Sequence, residues 1–342
     1  MTMKKIKVLV VDDSILYREF ISKAISADPG IEVVATATDP YDARDKIVKY
    51  QPDVMTLDVE MPKMNGIEFL RKLMPQYPLP VIVISALNEN VFDALNAGAV
   101  EFVAKPDMKA DKSIESYINE LVIKIKIAST ANLSQWKMDA KKVISHTIMP
   151  HWENKIIAIG ASTGGTEAIL AILESLPNDM PGIVIVQHMP PVFTKMYAQR
   201  LDNSVGLHVK EAQTGDIVQK GCVLIAPGDQ HMKVVKLGST YKVECFKGEK
   251  VNGHCPSVDV LFQSVAQEAG KDAIGVILTG MGYDGAKGLL AMRRNGARTA
   301  GQNEQSSVVY GMPKVAYDLG AVEQQASLEN IPQIIYSFLN LR

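Results

Sequence analysis

The sequence predicts an α/β protein built as two units, each on its own parallel sheet. Short apolar runs recur along the chain, among them Ile6–Val11, Pro80–Ile84, Ile156–Ile159, Gly182–Val186 and Ala273–Leu278, and they read as strands buried on both faces. Helical stretches separate them. Several runs also stop abruptly at a polar residue: Asp12, Asp58, Ser85, Ser162 and His188. Parallel α/β sheets carry their ligands at that carboxyl edge, so the chemistry should gather there.

Composition allows this plan and excludes others. A chain of 342 residues can fill two cores, and 47% hydrophobic with 22% charged residues is ordinary for a soluble protein. A formal net charge of −2 gives no general attraction to nucleic acid or anionic membranes. No helix-turn-helix or basic recognition helix is evident either. Three cysteines, Cys222, Cys245 and Cys255, form no C-x-x-C pair. With no signal peptide, they point to reduced thiols in the cytoplasm. No apolar run approaches the roughly 18 residues of a membrane helix.

The first unit opens with the strand Ile6–Val11, which runs into Asp12-Asp13-Ser14. A helix from about Ile15 to Ser26, a strand at Ile31–Ala35 and a helix around Tyr41–Lys49 follow. The next strand ends at Asp58, and Pro80–Ile84 ends at Ser85. Gly98–Val103 ends near Lys105-Pro106. Asp12, Asp13, Asp58, Ser85 and Lys105 should therefore converge. Three carboxylates this close repel one another unless a hard divalent cation sits among them, and an incomplete oxygen shell suits Mg²⁺. A lysine and a hydroxyl beside them complete a phosphoryl site.

On these residues the first unit resembles a response-regulator receiver domain, with a flavodoxin-like, doubly wound parallel sheet. The resemblance implies that Asp58 is the phosphoacceptor and that Ser85 and Lys105 bind the phosphoryl group. It implies Mg²⁺ ligation by Asp13, Asp58 and the backbone carbonyl of Glu60, with Asp12 acting largely through water. Pro106 is then the cis-favouring proline after the lysine, and Phe102 stands at the aromatic switch position. The expected receiver spans residues 1–126, its last helix running from Ser113 to about Ile127. Residues 127–154 lose regularity and read as a linker, in which Lys137, Lys141 and Lys142 are solvated and Trp136 and Trp152 could anchor to a domain surface.

The second unit, residues 155–342, is organised around Lys155-Ile-Ile-Ala-Ile-Gly160-Ala-Ser162-Thr-Gly164-Gly165. A buried strand, a small-residue turn and a helix beginning near Thr166 would hold Ser162 beside free backbone N–H groups. Gly160-Ala161-Ser162-Thr163-Gly164 fits the G-x-S-x-G nucleophile pattern, but such a turn can equally cradle a phosphate or dinucleotide. The rest of the unit favours the nucleophile. His188 follows the strand Gly182–Val186, and Asp284 follows Ala273–Leu278. Serine needs a neighbouring base, imidazole serves at neutral pH, and a carboxylate fixes its tautomer. The glycines around Met281 would let its backbone N–H point inward as an oxyanion donor. His231 and His254 compete as bases, Cys255 as a nucleophile and Asp259 as the orienting acid. Cys255 lacks a cationic setting that would lower its pKa, and no zinc-ligand spacing is present.

The order Ser, His, Asp separates the chain from the α/β-hydrolases, which run Ser, Asp, His. Ile159-Gly-Ala-Ser-Thr-Gly-Gly165, Gln187-His-Met-Pro190, Pro256-Ser-Val-Asp-Val-Leu-Phe262, Thr279-Gly-Met-Gly282 with Asp284-Gly285, and Gly311-Met-Pro313 resemble instead the catalytic domain of the chemotaxis protein-glutamate methylesterases (CheB). That family implies an α/β hydrolytic domain with a mostly parallel, Rossmann-like sheet and the triad Ser162, His188 and Asp284. It places the Met281 N–H in the oxyanion hole and makes Thr163 a plausible helper. It implies phosphorylation-activated hydrolysis of glutamate methyl esters, and deamidation of glutamines, on chemoreceptors. A chemotaxis histidine kinase would be the phosphodonor. Mg²⁺ would serve the receiver only, with no cofactor at the esterase site and no nucleic acid or membrane insertion. Cys255 departs from the pattern, since arginine is expected before Pro256. The alternative outputs are a receiver-regulated nucleotide-binding domain or an adaptor without esterase activity.

Overall fold

The computed structural model describes residues 4–85, 90–106, 111–133, 152 and 154–340, which fall into two compact units divided between Lys137 and Met138. In the first, β1 (Ile6–Val11), β2 (Ile31–Ala37), β3 (Val54–Asp58), β4 (Val81–Ser85) and β5 (Glu101–Ala104) form one sheet of order β2-β1-β3-β4-β5. Every pairing in it is parallel. The helices α1 (Ile15–Ile25), α2 (Pro40–Tyr50), α3 (Gly66–Leu73), α4 (Asn90–Asn96) and α5 (Asp111–Ala128) alternate with the strands. Local chemistry starts three of them. Ser14, Asp39 and Asn65 accept first-turn N–H groups of α1, α2 and α3, and Pro40 needs no partner for a missing N–H. The central strands β3 and β4 are buried along their whole length, as continuous apolar runs require.

The second unit has a seven-stranded sheet of order β15-β14-β13-β6-β7-β10-β8. Its strands are β6 (Ile156–Ala161), β7 (Gly182–Gln187), β8 (His208–Glu211), β10 (Cys222–Ile225), β13 (Ala273–Ile277), β14 (Arg298–Gln302) and β15 (Gln324–Ala326). All pair in parallel. The helices α6 (Gly165–Ser175), α7 (Phe193–Ser204), α8 (Val258–Glu268), α9 (Ala286–Arg294), α10 (Met312–Asp318) and α11 (Ile331–Asn340) complete the unit. The strands that end nearest the chemistry, β13, β6 and β7, lie side by side at its centre.

Two features depart from the sequence reading. β9 (Ile217–Val218), β11 (His231–Leu237) and β12 (Thr240–Phe246) form a separate three-stranded antiparallel sheet, where only landmarks around His231 had been legible. Gly238, with φ of 63°, and Ser239 make the two-residue loop that pairs Leu237 with Thr240. Among the described residues the cis peptide bond is Cys255–Pro256, and Lys105–Pro106 is not one. Trp152 is buried with its ring edge-on to Tyr336 of α11. Trp136 and the linker lysines Lys137, Lys141 and Lys142 lie outside the described residues. No helix among the described residues is long and apolar enough to cross a membrane.

Candidate active site

The receiver-like unit brings its acidic residues together. Carboxylate oxygens of Asp12, Asp13 and Asp58 lie within 4.8 Å of one another. Asp12 and Asp58 are buried, as is Ser85 at the end of β4, whereas Asp13 is exposed. Lys105 donates to Asp58 Oδ2 at 2.6 Å and stands 3.6 Å from Asp12 Oδ2. Burial pushes the Asp12 carboxyl up to about 6, helped by the charges of Asp58 and Asp13 and opposed by Lys105 and the Ser14 N–H. Lys105 is itself raised, because Asp58 and Asp12 outweigh its desolvation. One lysine thus offsets only part of a three-carboxylate cluster. Such a hard oxygen donor set fits Mg²⁺. The Glu60 N–H donates to Asp58 Oδ1 at 3.2 Å, which holds that residue's backbone beside the cluster. Phe102 is buried and meets Phe92 edge-on.

In the second unit the nucleophile candidate is held by its backbone. Ser162 directly follows β6, donates its N–H to Thr279 O at 3.0 Å, and accepts from the Gly165 N–H at 2.7 Å. Gly164, with φ of 78°, reverses the chain into α6. Gly280 is required by close approach: a Cβ there would come 2.6 Å from Ser162 Cβ. The loop carrying Met281 therefore lies against Ser162, with Met281 itself 45% exposed. Thr163 is buried, and its carbonyl accepts from Thr279 Oγ1.

His188 follows β7, and its N–H donates to Ala161 O at 3.1 Å, which ties its backbone to the strand that delivers Ser162. Its Nε2 lies 2.9 Å from Asp284 Oδ2. Its Nδ1 is buried with no hydrogen-bond partner. Asp284 is 1% exposed but well supplied with donors. Asn252 Nδ2 and Ser257 Oγ reach Oδ1 at 2.8 Å each, and the Val258 N–H reaches Oδ2 at 2.7 Å. The Asp259 N–H adds a longer bond at 3.3 Å. Asp284 thereby caps the N-terminus of α8 from outside the helix. Burial alone would raise this carboxyl. The hydrogen bond and charge of His188, with Asn252 and Val258, outweigh it and hold Asp284 well below the usual carboxylate range. An ionised Asp284 selects the His188 tautomer with the proton on Nε2, which leaves a lone pair on Nδ1.

The competing residues find other places. His231 is buried, bonding Glu249 O through Nε2 and accepting the Ser257 N–H at Nδ1, so it pins a loop. Asp259 accepts from Asn252 Nδ2 and the Gly288 N–H and does not reach a histidine. Burial pushes the Cys255 thiol up, away from a reactive thiolate. His254 lies flat on His188, ring centroids 3.6 Å apart and planes 9° from parallel. Two contributors were not singled out from sequence. Gln187 Nε2 donates to both Ser162 O and His188 O, at 2.9 and 3.2 Å, clamping the two turns together. Asn252 bridges Asp284 and Asp259. The Asn252-Gly253 pair is a turn signal ahead of a helix start, and both residues have positive φ.

Known proteins match the chain along its whole length. Residues 157–335 match the CheB methylesterase family and residues 8–115 the response regulator receiver domain. A protein-glutamate methylesterase/protein-glutamine glutaminase of Syntrophomonas wolfei is 60% identical over 99% of both chains. A protein of the same name from Syntrophotalea carbinolica is 53% identical, again over 99% of each chain. The crystal structure of the Thermotoga maritima CheB methylesterase catalytic domain aligns with a TM-score of 0.52 at 38% identity, covering 55% of this chain and 98% of that one. A receiver domain, a methylesterase domain and full-length relatives of this kind establish that the chain belongs to the CheB methylesterase family.

Proposed function

We propose that the receiver-regulated hydrolysis of protein glutamate methyl esters and glutamine amides by this chain runs through Ser162, His188 and Asp284. Ser162 Oγ attacks the side-chain carbonyl of the substrate as His188 Nδ1 takes its proton. Asp284, hydrogen-bonded at Nε2, fixes the tautomer and stabilises the imidazolium. The backbone N–H of Met281 donates to the oxyanion, with Thr163 helping to set the turn. His188 then protonates the leaving group, methanol from an ester or ammonia from an amide. Water resolves the acyl-enzyme by the same proton path in reverse. One intermediate serves both activities because only the leaving group differs.

The substrates are glutamyl side chains of chemoreceptors, and the protein works in the cytoplasm, where its unpaired cysteines stay reduced. Residues 127–154 tether a receiver of residues 1–126 to a hydrolase of residues 155–342. A chemotaxis histidine kinase donates a phosphoryl group to Asp58, whose oxygens are then held by Lys105 and Ser85. Mg²⁺, held by Asp12, Asp13, Asp58 and the Glu60 carbonyl, would offset the negative charge of the carboxylates and the incoming phosphoryl group.

The observation that carries the reading is the His188–Asp284 contact of 2.9 Å on the strand next to Ser162. Methanol release from methylated receptor membranes tests it, comparing wild type with Ser162→Ala, with and without a small-molecule phosphodonor and Mg²⁺. Release should need Ser162 and rise with the phosphodonor. Equal release by the Ala variant would overturn the triad.

A further inference from the structure

A histidine hydrogen-bonded at one nitrogen can still rock about that bond, so the Asp284 contact alone does not fix the plane of His188. The face of the ring is covered instead by His254, parallel to within 9° at a centroid distance of 3.6 Å. Its loop is well anchored. Val251 and His254 exchange both backbone hydrogen bonds at 3.0 Å, and Asn252 is held by Asp284 and Asp259. His231 closes the loop, bonding Glu249 O at one nitrogen and the Ser257 N–H at the other. A second histidine is thus built onto the base by a rigid loop, although the triad has no proton-transfer step for it.

We propose that His254 is a positioning residue for the hydrolysis, an uncharged aromatic platform that fixes the plane of His188 and stabilises the positive charge this ring acquires on taking the Ser162 proton. The inference rests on the triad reading. A neutral aromatic face is attractive to a cation, whereas a second imidazolium would repel it. The groups facing the pair are Asp284 on His188, and His188, Asp284 and Lys250 on His254. Burial, reinforced by the His188 charge and Lys250 and opposed by Asp284, pushes His254 down to about 4. His254 is therefore neutral when His188 cycles. A stacked ring does not compete with Nδ1 for the Ser162 proton, because it offers its face and not a lone pair.

The test uses the full-length protein with a phosphodonor and Mg²⁺, and the variants His254→Phe, His254→Ala and His254→Arg. Methanol release from methylated receptor membranes gives kcat and KM. The pH dependence of Ser162 modification by a fluorophosphonate reports the titration of His188 without the receptor. Phe keeps the platform and should hold kcat within about threefold of wild type, while Ala should lower kcat about 10- to 50-fold with little change in KM. Arg puts a fixed positive charge on the ring face. It should lower kcat further and move the acid limb of the fluorophosphonate profile down by about one pH unit or more. Thermal unfolding of each variant separates lost folding from lost positioning, since a purely structural role would not order Phe, Ala and Arg in this way. An Ala variant equal to wild type, a Phe variant as impaired as Ala, or an unmoved acid limb in Arg overturns the proposal. Ser162→Ala run alongside distinguishes the two failures: if it is active the triad falls, and if it is inactive while the His254 series is flat only the platform falls.

Discussion

Two carboxylate clusters sit at the carboxyl edges of two parallel sheets, and they are wired in opposite ways. At the first edge, Asp12 and Asp58 share one lysine with Asp13 beside them, and the Asp12 carboxyl is pushed up to about 6. At the second, Asp284 is as buried as Asp12 yet receives five donors, from His188, Asn252, Ser257, Val258 and Asp259. It is held well below the usual range. The same topology therefore yields an under-compensated site, suited to the cation and phosphoryl group proposed for it, and an over-compensated one, whose charge would stay constant during the proposed proton transfer. Number of donors, and not depth of burial, separates them.

The largest expected effect comes from breaking the over-compensated site. Asp284→Asn replaces an acceptor by an amide N–H that faces N–H donors, so the His188 tautomer is lost along with the α8 cap. The kcat for methanol release should fall about 10³- to 10⁴-fold, and stability by about 2–4 kcal/mol, read by thermal unfolding. Because the folded carboxyl is lowered, Asp284 contributes its full stability above the usual carboxylate pKa and loses it as pH falls below that value and through the lower folded one. The gap in unfolding temperature between wild type and Asp284→Asn should thus persist at pH 5 and close in stronger acid.

The under-compensated site predicts a regulatory loss instead. Asp58→Asn should abolish the rise in methanol release caused by phosphodonor and Mg²⁺, because the carboxylate proposed to accept the phosphoryl group is gone. A rise that survives would show that the donor acts elsewhere. Gln187→Leu probes the scaffold of the other edge. Its amide is buried and holds the Ser162 and His188 carbonyls together, so removing it should lower kcat about tenfold and stability by about 1–3 kcal/mol. A variant that loses stability but keeps kcat would make Gln187 a purely structural clamp.

The residues legible in the sequence were those that end buried strands. Asp12, Asp58, Ser85, Ser162 and His188 follow apolar runs with no intervening turn, so strand and edge fix their place at once. Asn252, Ser257 and His254 were not legible as a set, because a loop of irregular backbone brings them to Asp284 and His188 and no periodicity records that path. The β11–β12 hairpin escaped for a related reason. Val235 and Lys236 break the alternation of β11, so the cleaner alternation of Tyr241 and Val243 with Lys242 and Glu244 in β12 had no matching partner strand to pair with across the Gly238-Ser239 turn. Gln187 could be seen as part of a motif, but its double bond to Ser162 and His188 depends on a pairing of β6 with β7 that the sequence does not state.

The smallest expected effect concerns the ring between the two behaviours, His254, which is half-buried with only Asp284 opposing the loss of its charge, and which avoids charge by giving up its proton. Its pKa is lowered from an ordinary 6.5 to about 4, first by burial and then by His188. Between those values the unfolded chain binds a proton that the folded chain refuses, so stability rises with pH through this window and is complete above about 6.5. His254→Phe removes that proton equilibrium while keeping an aromatic face on His188. The drop in unfolding temperature between pH 7.5 and pH 5 should therefore be smaller in His254→Phe than in wild type, by a few degrees. Equal drops would mean that His254 takes its proton in the folded state, and a charged ring on the base is incompatible with the neutral platform.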